Sequence, residues 1–279
     1  MSTGANQGRR ARMPLSEKII TEAIIKNYTE KLLDSISCDV VIVGAGPAGL
    51  VAAADLSRSG WKATIFERKL SIGGGMWGGG MMMNEIVVQE EGKEILDEFG
   101  ITTVQFKKGY YTADAVESVC SLGARACKNG ARIFNCISVE DIVLKEGRAA
   151  GVVINWSAVD VAGLHVDPLT VECGYIIDST GHPAEVVRVI EKKVDARLMT
   201  PSGGVEGERS MWADRAEQTT LDNTREIFPN VWVAGMCANA SFGSYRMGPI
   251  FGGMLLSGRK AARVIGERLK AGREEAKRT

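Results

Sequence analysis

A chain of 279 residues is long enough to bury one large α/β core or two small ones. Lysine plus arginine and aspartate plus glutamate balance at 34 each, so no global field favours nucleic acid or an anionic membrane surface. No apolar run reaches spanning length, and the polar start lacks the apolar core of a secretory signal, which points to a cytoplasmic protein.

Residues 1–13 are polar and basic, and Arg9, Arg10 and Arg12 read as part of a disordered tail rather than a nucleic-acid arm. Over residues 14–36, Ile19, Ile20, Ala23, Ile24, Tyr28, Leu32 and Leu33 recur at helical steps. This predicts an amphipathic helix whose stripe is buried within its own domain or, as the alternative, on another subunit. A β-branched run then meets Gly44, Gly46 and Gly49 in G-x-G-x-x-G spacing, followed by a helical stretch and a second strand closing on Glu67. The order predicts a βαβ dinucleotide fold. Gly44 permits the tight turn, Gly46 lets the backbone approach a pyrophosphate, and Gly49 lets the helix lie close on the sheet. The free N–H groups and dipole of that helix favour phosphate, and Glu67 sits where a ribose diol is gripped.

Residues 71–83 hold six glycines and four methionines, a composition that specifies shape poorly and predicts a mobile loop able to approach a ligand. Residues 88–99 and 113–128 read as helices, and 103–106 as a strand. Three strands follow at 131–135, 139–145 and 149–155, with Glu146 and Gly147 as a hairpin turn. A strand at 171–178 leads into Ser179, Thr180, Gly181 and His182, with Pro183 placed to open a helix. Residues 201–207 read as a mobile loop, 212–227 as a helix, 231–234 as a strand, 251–269 as a final helix and 270–279 as a frayed tail. The expected fold is α/β: one dinucleotide-binding domain over residues 1–279, of which 1–37 are tail and first helix. Its mostly parallel sheet carries an inserted antiparallel meander.

The six cysteines, Cys38, Cys120, Cys127, Cys136, Cys173 and Cys237, form no C-x-x-C pair and are expected as buried small apolar residues. There are only two histidines, His165 and His182.

Residues 176–181 and 231–235 resemble the middle and final strands of the glutathione-reductase-like flavoproteins. Those enzymes usually end the final strand in Gly-Asp to hold the flavin ribitol, whereas here Met236 follows Gly235. A narrower resemblance covers nearly the whole chain. The helix before the fold, Glu67-Arg68, the glycine run of residues 73–80, His165-Val166-Asp167-Pro168, Ser179-Thr180-Gly181-His182 and Tyr245-Arg246-Met247-Gly248-Pro249 together resemble the thiamine thiazole synthase family.

The resemblance implies that NAD occupies the dinucleotide site as a substrate. Nicotinamide leaves, the ADP-ribose is isomerised to a ketone, glycine condenses on it, and sulfur addition with ring closure gives an adenylated thiazole carboxylate. It also implies that Gly44, Gly46, Ala48, Gly49, Glu67, Arg68, Gly75, Val139, His165, Val166, Asp167 and Met236 line the dinucleotide. Arg246 would hold the carboxylate of glycine bidentately, unless it is an ordinary surface arginine. Fungal and plant members carry, at the position of His165, a cysteine that surrenders its sulfur. Its absence here makes this chain similar to the archaeal form, which takes free sulfide with the help of iron.

His165 and Asp167, two apart on an extended segment, point to one side. With His182 they make two imidazoles and one carboxylate, a set suited to Fe(II) with open positions. The resemblance implies a homo-octamer in which His182 reaches the pair from a neighbouring copy. Three other readings stay open: a FAD-dependent oxidoreductase, a ribose-1,5-bisphosphate isomerase and a non-catalytic nucleotide-binding protein.

Overall fold

The computed structural model describes residues 13–278, so the cluster of Arg9, Arg10 and Arg12 lies outside the described residues. The chain divides into two compact units, Met1–Ser35 and Ile36–Thr279. The first holds α1 (Glu17–Ser35). Of its apolar stripe, Ile19, Ile20, Ile24 and Leu33 are exposed in the single chain.

The second unit begins with the anticipated βαβ, namely β1 (Ser37–Val43), α2 (Pro47–Arg58) and β2 (Ala63–Glu67). There follow β3 (Glu85–Val88), α3 (Glu90–Glu98), β4 (Val104–Lys107), β5 (Tyr110–Asp114), α4 (Ala115–Lys128) and β6 (Arg132–Asn135). The middle is β7 (Ile137–Lys145), β8 (Arg148–Trp156), α5 (Ser157–Val161) and β9 (Leu169–Asp178). The chain then forms α6 (Glu185–Lys193), α7 (Ala213–Asn223), β10 (Glu226–Phe228), β11 (Val231–Val233), α8 (Met236–Phe242) and α9 (Gly252–Ala276).

The main sheet runs β10-β11-β9-β1-β2-β6, parallel throughout except for the β10–β11 edge. Val40 to Val43 are buried in β1, as is all of β2, because helices cover a parallel sheet on both faces and its strands are continuous apolar runs. The anticipated meander is β7–β8, turned at Glu146 (φ 51°) and Gly147 (φ 74°), the left-handed pair that a two-residue hairpin requires. β9 changes partner along its length. Its first half pairs antiparallel with β8, and its second half runs parallel to β1.

Several expectations need correction. A second, antiparallel sheet, β3-β5-β4, forms where only one strand is expected. β3 spans four residues, too few to show a period, and β5 abuts α4 so closely that Asp114 ends the strand and caps the helix. The glycine-methionine stretch is not featureless: residues Gly74–Gly78 make a 3₁₀ turn anchored by Met76, which is fully buried in the core. Residues 226 and 227 belong to β10 and not to the helix before it. The last helix reaches Ala276 instead of fraying at 270, because the Arg273 guanidinium stacks over Trp61 and reaches Asp39. The helix α8 is an addition. Among the cysteines Cys38 and Cys237 are buried, Cys136 and Cys173 are partly buried, and Cys120 and Cys127 are exposed on α4.

The nucleotide-fold helix α2 is clamped against α9 at Gly258, where a Cβ would lie 2.2 Å from the carbonyl oxygen of Ala48. Gly258→Ala should therefore cost about 1–3 kcal/mol of stability by forcing the helices apart. Gly272→Ala, at an open position of the same helix, should instead gain about 0.5–1 kcal/mol. Urea denaturation of both variants checks the contrast.

Candidate functional site

The carboxyl ends of β1, β2, β9 and β11 meet at one edge of the parallel sheet, with the chain departing to either side of β1. Such a switch point is where open α/β sheets leave a crevice for ligands. A cavity of about 910 Å³ opens there, walled by Gly44, Gly46 and Ala48 from the glycine turn, Glu67 and Arg68 from the end of β2, and Gly75 from the 3₁₀ turn. Val139, His182, Met236 and Arg246 complete the opposite side. Gly49 stands behind the turn, where a Cβ would lie 2.2 Å from the Gly44 carbonyl oxygen. His165, Val166 and Asp167 lie in the exposed segment between α5 and β9, outside this cavity wall.

The floor is built from backbone. Gly44 has φ 94°, and a Cβ there would lie 2.8 Å from the Ser179 carbonyl oxygen, so the turn closes directly on the end of β9. The Ser179 hydroxyl reaches the carbonyl oxygens of Val43 and Gly44 at 2.9 and 2.8 Å, tying the two strand ends together. Glu67 is buried, and its two carboxylate oxygens accept from Ala45 N at 2.8 Å and Lys69 N at 2.9 Å. The acidic group is thus oriented by the loop it faces, each oxygen keeping lone-pair capacity for a hydroxyl in the cavity.

Asp178 organises the next wall. It is fully buried and accepts from Thr180 N, Thr180 Oγ1 and Val187 N at 3.0, 2.7 and 3.0 Å. Burial pushes its carboxyl above the usual range, and those donors oppose the shift. Thr180 Oγ1 in turn accepts from Glu185 N at 2.8 Å, which sets the start of α6. The Glu185 carboxylate meets the Arg68 guanidinium at 2.5 Å on the cavity wall. The His182 Nδ1 lies 2.6 and 2.8 Å from the two oxygens of Glu208, which leaves Nε2 open. A carboxylate so placed fixes the tautomer of an imidazole.

Arg246 is exposed and sits on a strap pinned by backbone: its N–H donates to Arg209 O at 3.3 Å and its carbonyl accepts from Trp212 N at 3.1 Å. The buried Asn239 donates to Tyr245 O at 3.3 Å from beneath. Among the described residues, no group of three histidine, cysteine, aspartate or glutamate side chains within the chain is placed to hold a metal ion. The donors His165, Asp167 and His182 suit Fe(II) in type, but within the described single chain they are not grouped around one point.

Residues 21–251 match the Thi4 family. The chain belongs to the Thi4 family. It is 55% identical over 258 residues to the thiamine thiazole synthase of Methanothermobacter thermautotrophicus, covering 92% of this chain and all of that protein. The crystal structure of Thermovibrio ammonificans THI4 matches with a TM-score of 0.90 at 50% identity, over 92% of this chain and 100% of that one. A geranylgeranyl bacteriochlorophyll reductase-like protein from Thermoplasma acidophilum, at 14% identity and a TM-score of 0.54 over 85% of this chain and 79% of that one, shares the fold alone. The glutathione-reductase-like architecture expected from the strands is thus the one observed, with a mostly parallel main sheet. No helix among the described residues is long and apolar enough to cross a membrane.

Four side chains of this Thi4-family cavity and its supports escape sequence reasoning: Asp178, Glu185, Glu208 and Glu217. The first two lie inside apolar or helical patterns. Glu208 is 26 residues from its histidine and has no motif. Glu217, on α7, accepts from Gly253 N at the start of α9, next to the cavity residues Phe251 and Met254. Burial pushes its carboxyl up to about 7 from 4.5, against that backbone donor. A raised folded value means that its contribution to stability is fully present below pH 4.5 and is lost as pH rises through about 7. Glu217→Gln should therefore gain on the parent across that window, by at most about 3 kcal/mol, and the difference should be flat outside it. Denaturant midpoints of parent and variant through the pH range check this.

Proposed function

We propose that this chain is a thiamine thiazole synthase of the sulfide-using type. It converts NAD and glycine, with free sulfide, to ADP-5-ethyl-4-methylthiazole-2-carboxylate and releases nicotinamide. Membership of the Thi4 family and the name of its relatives support the class of activity. One observation carries the sulfide reading: residue 165 is histidine, where sulfur-surrendering members have cysteine, and an imidazole has no sulfur to give. Cys173 is no substitute, since it sits on β9 opposite Cys38 and burial pushes its thiol well above the usual range.

In this reading the pyrophosphate lies at the start of α2, against free backbone N–H groups. Glu67 holds the adenosine ribose diol, and Met236 stands where a flavin enzyme of similar fold places a carboxylate. Arg246 pairs with the carboxylate of glycine and turns its amine toward the ketone carbon. His165 and Asp167 of one copy and His182 of another would hold Fe(II). When bound, that ion offers open positions for sulfide and lowers its proton affinity. The assembly proposed is a cytoplasmic homo-octamer. The exposed Val161, Leu164, Val166 and Leu169 around His165 support copy-to-copy contact there, since clustered apolar side chains on a surface mark interfaces.

Anaerobic incubation with NAD, glycine, Fe(II) and sulfide should yield nicotinamide and the adenylated thiazole by mass spectrometry. His165→Ala should lower iron-dependent turnover by roughly 100-fold or more while NAD still binds. His165→Cys should give one sulfide-independent turnover and leave dehydroalanine at that position. Flavin absorbance in the purified protein, or thiazole formed by His165→Ala at the parent rate, would overturn the assignment.

A further inference from the structure

We propose that Glu185 makes this site select NAD over NADP, by occupying the arginine that would otherwise accept a 2′-phosphate. The inference rests on the dinucleotide reading above and adds a specificity-determining residue to it.

At the end of the second strand of a dinucleotide fold, an acidic residue receives the free ribose 2′-hydroxyl of NAD, whereas a nearby arginine accommodates the 2′-phosphate of NADP. This chain carries both, side by side, as Glu67 and Arg68, and both line the cavity. By sequence the pair is ambiguous. The structure decides between them through α6. Glu67 is buried and oriented toward the cavity by two backbone N–H groups. Arg68 is half exposed, and its guanidinium is engaged by the Glu185 carboxylate at 2.5 Å.

Glu185 is not placed there by its own flexibility. Its backbone N–H is held at 2.8 Å by Thr180 Oγ1, which is itself fixed by the buried Asp178. The start of α6 is therefore fixed, and from it the Glu185 side chain reaches the cavity wall and Arg68. Glu67 and Glu185 lie near enough to act on each other electrostatically. A ribose diol can donate to carboxylates, but a 2′-phosphate would bring close to two negative charges into the same space and would have to displace Glu185 from Arg68. The ion pair itself is exposed enough to add little to stability. Its consequence is the occupancy of a guanidinium that would otherwise form charge-assisted bonds to phosphate.

The test is calorimetric titration of the iron-free, glycine-free protein with NAD and with NADP. The parent should bind NAD more tightly by at least roughly tenfold, and Glu185→Gln should shrink that ratio by roughly tenfold or more, through tighter NADP binding. Arg68→Ala in the Glu185→Gln background should remove the gain, which separates Arg68 from the neighbouring Lys69, and Glu185→Asp should keep part of the parent preference. A Glu185→Gln protein that binds both dinucleotides at the parent ratio overturns the inference, as does a gain that survives Arg68→Ala. A parent that binds neither dinucleotide overturns the dinucleotide reading and this inference with it.

Discussion

The junction between β1 and β9 is the constraint on which the site depends. Two parallel strands far apart in sequence end side by side, and the Ser179 hydroxyl lies within hydrogen-bonding distance of the carbonyl oxygens of Val43 and Gly44. The approach is close enough that residue 44 has no room for a side chain. From that one contact the chain leaves in two directions, into α2 with its N–H groups on the cavity, and through Thr180 and His182 toward α6. The glycine turn, Glu67 and the start of α6 are positioned relative to it.

Around this junction the polar groups are committed before any ligand arrives. Glu67 is tied to Ala45 and Lys69, Arg68 to Glu185, His182 to Glu208, and Asp178 to Thr180 and Val187. Such commitment lowers the ordering cost of binding, because side chains already fixed lose little further freedom. It also limits what can bind, since the Arg68 guanidinium on the cavity wall is already paired with Glu185. Arg246 stands apart from this scheme. Its strap is pinned by main-chain bonds while the guanidinium itself is exposed, which suits a group meant to meet a small anionic substrate.

The exposed segment holding His165 and Asp167 follows another logic. Apolar neighbours surround it, and among the described residues no group of three ligating side chains forms there. In the proposed assembly a second copy would supply the third donor, so that iron binding and assembly would be one event. Coupling of that kind makes affinity for the metal depend on protein concentration.

The sequence by itself determined the βαβ unit, the meander and the family, because each is local: glycine spacing, strand alternation and motifs of a few residues carry their physics within a short window. It left open β3 and β5, too short or too closely joined to a helix to show a period. It also left open the length of α9, whose last turns depend on Arg273 meeting Trp61 and Asp39 more than 200 residues earlier. The site divided in the same way. Gly44, Gly46, Glu67 and Arg246 were legible from motif and spacing, whereas Glu185, Glu208 and Glu217 were not. Only the tertiary structure decided which arginine is occupied, which histidine nitrogen is free and which carboxylates are buried, because those properties belong to pairs of side chains brought together from separate elements.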